Sequence, residues 1–104
     1  MDDINSSKTQ ESISEQLEAE IVDLAKQHGL NMVVLFGSRA RGDHHRTSDI
    51  DLAISGGDTV HFALDVDELT HTLLQFDCVN LDKSVHPELR SSIDCEGRVL
   101  YAKA

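Results

Sequence analysis

The sequence is short of basic residues, cysteine and proline, and none of its apolar runs approaches membrane-spanning length. Each shortage closes off a class of protein. Nine Lys and Arg stand against nineteen Asp and Glu, a formal charge of −10. A surface that tracks nucleic acid by its overall field is therefore not expected, because such binding neutralises phosphates with cationic side chains. The two cysteines, Cys78 and Cys95, fit neither a CxxC redox pair nor a paired zinc-ligand pattern, and both read as reduced and structural. With no apolar span, no membrane association is expected. Nor does a basic region followed by a long apolar core open the chain: Met1 to Glu11 is polar and carries Asp2, Asp3 and Glu11. No secretory leader is expected, and the cytoplasm is the expected address. At 104 residues there is room for one compact domain around one core.

What is present is a series of short, strongly patterned segments. Residues 1–11 have no apolar period and are expected to form a disordered tail, leaving 12–104 as a single domain. Ser12 and Glu15 have the spacing of a capping box, Ile13, Leu17, Ile21 and Leu24 recur at helical intervals, and Gly29 suits the position just past a helix. Met32 to Phe36 is a run of strand formers that reads as a buried strand ending at Gly37. Asp49 to Ser55 alternates strictly, with Ile50, Leu52 and Ile54 on one face and Asp49, Asp51 and Ala53 on the other. The two carboxylates thus share a face. After the Gly56-Gly57-Asp58 turn a second helix is expected, with Phe62, Val66, Leu69 and Leu73 as its buried stripe. Phe76 to Leu81 reads as a third strand, Pro87 opens a brief helix closed by Gly97, and Arg98 to Ala102 reads as the last strand. Four strands interleaved with three helices predict a small α/β domain, a mixed sheet with helices packed on it.

The chemistry is concentrated in one stretch. Leu35-Phe36-Gly37-Ser38-Arg39-Ala40-Arg41-Gly42 is followed, with ten residues between Ser38 and Asp49, by Asp49-Ile50-Asp51. Two aspartates two apart on a strand can hold hard, oxygen-loving cations side by side. Taken alone, such a pair is ordinarily two solvated strand residues, so the spacing from Gly37-Ser38 and the buried strand before it carry the functional reading. Arg39, Arg41 and Arg46, with His44 and His45, fall in one eight-residue window, a favourable spot for an anion on an otherwise repelling surface. The six histidines, at 28, 44, 45, 61, 71 and 86, show no metal-ligand spacing and read as surface residues.

Gly-Ser-x10-Asp-x-Asp resembles the signature of the nucleotidyltransferase superfamily that includes DNA polymerase β. The surrounding residues look most like its minimal, single-domain members, and the resemblance runs from about residue 13 to the end. It implies the nucleotidyltransferase fold, with Gly37 and Ser38 at a strand-to-helix turn that receives the triphosphate of ATP and Arg39 beside it. It also implies two Mg²⁺ ions on Asp49, Asp51 and a third carboxylate from a neighbouring strand, the same three residues being catalytic. The ungapped match falls on Asp77. Asp82 is the second candidate, near the strand end and of opposite parity. Minimal members are commonly paired with HEPN-domain proteins, so the implied activity is that of an antitoxin that adenylylates a tyrosine of its RNase toxin. A sheet this small leaves the cleft open on one side, so a partner or a second copy is expected to complete it. The rival expectations are an antitoxin acting by occlusion alone, and a transferase acting on a small molecule such as an aminoglycoside or on an RNA end.

Overall fold

The computed structural model describes residues 13–103; the expected tail and Ser12 lie outside them. The first helix, α1 (Glu15–Gln27), is capped by Ser14: its hydroxyl accepts from the Leu17 N–H at 3.1 Å. Ile13, buried just ahead of the cap, sets the start there. Leu17, Ile21, Leu24 and Ala25 form the buried stripe. At the other end Gly29 adopts φ +68, and the Gly29 and Leu30 N–H groups donate back to Lys26 and Ala25 at 3.2 and 2.9 Å. These crossed bonds satisfy carbonyls that the helix end would otherwise leave open.

Next come β1 (Met32–Phe36), a single helical turn α2 (Ser38–Arg41) and β2 (Ile50–Ser55), then α3 (Thr59–Leu69), β3 (Phe76–Asn80), α4 (Pro87–Glu96) and β4 (Arg98–Ala102). The short α2 adds to the three helices that periodicity indicates. The four strands form one sheet in the order β3-β2-β1-β4. β1 runs antiparallel to β2 and β4, while β2 and β3, joined through α3, run parallel. The sheet is therefore mixed, with the crossover that a parallel pair requires.

Alternation assigns the faces. Val33, Leu35, Ile50, Leu52 and Ile54 pack with α1 and with Phe62 and Val66 of α3. Val34, Phe36 and Ala53 pack with Ile93 of α4 on the other side. β1 is buried on both faces, which is why its sequence is continuously apolar.

The expected stripe of α3 is half right. Phe62 and Val66 are fully buried, but Leu69 is 64% exposed and Leu73 100% exposed. The cause is local: the buried Thr70 hydroxyl donates to the Val66 carbonyl at 2.8 Å, and Thr70 itself is extended. The helix stops there, so Leu73 cannot continue its face.

Candidate active site

β1 delivers the chain to Gly37, whose φ of +76 and ψ of −156 form a combination that only glycine adopts without strain. A Cβ added there would overlap Oδ2 of Asp51. The bare backbone of the turn thus lies directly against that carboxylate. The Ala40 and Arg41 N–H groups donate to the Gly37 carbonyl at 3.1 and 3.0 Å, closing α2.

Asp51 pairs with Phe36 of β1 on one side and with Asp77 of β3 on the other. Paired residues of adjacent strands project to the same face, so the Gly37 turn, Asp51 and Asp77 form a row across three strands. Asp49, just before β2, has the parity of Asp51. Burial pushes the Asp51 pKa up from the usual carboxylate range, and the charges of Asp77 and Asp49 push it further, with Arg41 opposing. Asp51 therefore feels both of the other carboxylates. Asp49 and Asp77 are exposed and Asp51 is half-buried.

Asp82 is elsewhere. Its Oδ2 accepts from the Gly56 N–H at 2.7 Å, which pins the turn after β2, at the opposite end of that strand from Asp51.

Arg39 does not face outward as a phosphate contact would. It is 6% exposed; Nε donates to the Ser48 carbonyl at 3.0 Å, and Nη2 to those of Arg46 and His45 at 3.1 and 3.3 Å. Its planar fork is spent on the loop that leads into Asp49. The same loop closes on itself: the His45 N–H donates to the Ser48 hydroxyl at 2.8 Å and the Ser48 N–H to the His45 carbonyl at 3.1 Å. Arg41, by contrast, reaches Asp43 at 3.2 Å and Glu96 of α4 at 3.0 Å.

Hard divalent cations suit this donor set: carboxylate oxygens that repel one another, beside space that any side chain at residue 37 would fill. Among the described residues no three Asp, Glu, His or Cys side chains already stand as a closed cage, so the aspartates would have to close on an ion. Two aspartates on adjacent parallel strands, a third two residues before one of them and a glycine turn thus gather at one end of the sheet.

The chain matches the family model described as polymerase beta, nucleotidyltransferase over residues 19–104, and it belongs to that family. It is 35% identical over 81 residues to a Methanocaldococcus jannaschii protein provisionally named a protein adenylyltransferase, covering 69% of this chain and 79% of that one. Among solved structures it resembles a toxin-antitoxin complex crystallised with AMP-PNP, at 28% identity and a TM-score of 0.68, over 83% of this chain and 73% of that one. It also resembles a variant of the toxin-antitoxin MntA-HpeT that carries two Asp-to-Glu substitutions two positions apart. There the identity is 26% and the TM-score 0.67, over 83% of this chain and 73% of that one. Among the described residues no helix is long and apolar enough to cross a membrane.

Proposed function

We propose that this nucleotidyltransferase moves AMP from ATP onto a hydroxyl of a partner protein, and that it serves as the antitoxin of a toxin-antitoxin pair. The acceptor in this reading is a tyrosine of a HEPN-domain RNase toxin. The observation that carries the reaction is the in-register placement of Asp51 beside Asp77 against the Gly37 turn. The kinship with a provisionally named protein adenylyltransferase and with antitoxin structures supports the acceptor class.

Asp49, Asp51 and Asp77 would hold Mg²⁺, two ions in the full site. When bound, the metal neutralises charge on the α-phosphate and lowers the pKa of an attacking hydroxyl. Gly37 and Ser38 receive the triphosphate, because a backbone without a side chain at residue 37 lets phosphate oxygens approach the N–H groups that open α2. Asp77, exposed at the outer strand, is placed to accept the proton of the incoming hydroxyl. Arg39 holds the loop before Asp49, so the aspartate enters β2 from a fixed direction. The acceptor hydroxyl attacks the α-phosphorus in line, the new phosphodiester forms and pyrophosphate leaves.

The test is label transfer from ATP to the protein encoded beside this chain. Label at the α-phosphate should enter the partner and label at the γ-phosphate should not. Entry of the γ-label would show phosphorylation instead, and tight binding with neither label would favour neutralisation by occlusion.

A further inference from the structure

An apolar groove lies away from the carboxylates. It lies on the other face of the sheet, has a volume of about 380 Å³ and runs between α3 and β3. Ile54 and Cys78 form its floor, and Val60, Ala63 and Leu64 its wall. The Asn80 amide donates to the Thr59 hydroxyl at 3.1 Å and closes one end. Val60 and Leu64, one helical turn apart, are 63% and 54% exposed.

Beside the groove, among the described residues, the sheet ends, since β3 is its edge strand. Its register shows which backbone groups are open. Ile50 pairs with Phe76 and donates to the Gln75 carbonyl, while at the far end Leu81 donates to Ile54. In a parallel ladder this alternation turns the N–H groups of Phe76, Cys78 and Asn80 away from β2. An open edge is a template for a further strand, and a groove beside it supplies pockets for alternate side chains.

Charge selects the occupant. α3 carries exposed Asp67 and Glu68, with Asp65 paired to His28 at 2.8 Å and no Lys or Arg, and β3 adds Asp77; Lys83, which also lines the groove, offsets part of this charge. The groove is thus apolar and bordered mainly by negative charge. A second copy of a chain with net charge −10 would set those acidic groups against themselves. We propose that the β3 edge and the α3 groove dock an extended segment of a basic partner protein, with small apolar side chains in the groove and Lys or Arg beside Asp67 and Asp77. Strand side chains alternate, so the segment's other set faces the side that holds Asp77 and Asp51. Delivery of the acceptor hydroxyl along that set rests on the proposed transfer reaction; the docking itself does not.

Amide hydrogen exchange followed by NMR on the full chain tests this. The probe is a blocked peptide of alternating Val and Thr flanked by Lys, at millimolar concentration, beside a Glu-flanked counterpart. The Lys-flanked peptide should slow exchange at Phe76, Cys78 and Asn80 by about tenfold or more, as pairing of an open edge requires, and leave Asp77 and Val79 unchanged. Leu64→Glu should remove the effect, whereas Leu69→Glu, at an exposed position against α1, should keep it. No slowing at β3, equal slowing by the Glu-flanked peptide, or slowing confined to β4 would overturn the proposal. Protection that rises with the chain's own concentration would assign the edge to a second copy and overturn it too. These readouts use neither ATP nor the carboxylates, so their failure would leave the transferase reading standing.

Discussion

Asp51 is held between two strands, against a glycine turn and near two other carboxylates. Such a group destabilises the metal-free protein slightly and is retained for what it binds. Asp51→Asn should therefore abolish transfer while leaving the melting temperature unchanged or higher; a clear fall in thermal stability would give Asp51 a structural role instead. Gly37→Ala should cost about 1–3 kcal/mol, as a side chain forced into that backbone region does, and should also displace the Asp51 carboxylate. A denaturant titration and a transfer assay read the two effects separately. Cys78 is half-buried and Cys95 exposed, and the raised Cys78 pKa leaves almost no thiolate at neutral pH. Mild alkylation at pH 8 should label Cys95 and spare Cys78 until the chain is unfolded; fast labelling of both would contradict the groove described around Cys78.

At the same scale, Gly37, Ser38, Asp49 and Asp51 were legible because a turn and an alternating strand are local patterns. Asp77 was legible by alignment, and its register beside Asp51 required the crossover through α3. The orientation of Arg39 was not legible. A cation after a glycine turn reads as facing an anion, and only the path of the loop from residue 43 to 48 shows three carbonyls waiting for it.

That loop is the element on which the site depends. It has no periodicity and little core contact, and the Arg39 guanidinium is its main brace. Arg39→Met should destabilise the chain by about 2–4 kcal/mol, since it removes three hydrogen bonds made by a buried, charged donor. Arg39→Lys should recover part of the stability but little of the turnover, because a point charge cannot span three acceptors. The expected signature is a large fall in kcat with a small change in the KM for ATP; wild-type kcat in Arg39→Lys would remove the loop from the account. α3 supplies a second element-scale test. Phe62→Ala should cost about 3–5 kcal/mol as a core truncation, and Leu73→Ala should change stability by less than about 0.5 kcal/mol. The four were spaced alike in sequence, yet the buried stripe ends at Val66, and Leu73 lies beyond the helix end at Thr70, whose hydroxyl bonds the Val66 carbonyl. The cap of α1 is Ser14, the residue just before Glu15, at which the helix begins.

As a whole the molecule is a four-stranded sheet with α1 and α3 on one face and α4 on the other. Its carboxylates stand at one end of the sheet, with Asp49 and Asp77 exposed, and its net charge of −10 disfavours unassisted approach of polyanions. Both features call for a partner that closes the site and brings compensating charge. Association with a basic protein should weaken as salt rises, in line with steering by opposite charge. The most direct measurement is the intact mass of the protein encoded beside this chain, after incubation with the chain, ATP and Mg²⁺, against an Asp49→Asn/Asp51→Asn control. The mass should rise by whole adenylyl units with the wild-type chain and stay fixed with the variant. An equal rise with the variant, or no rise while the wild-type chain still neutralises its partner, would contradict the transferase account.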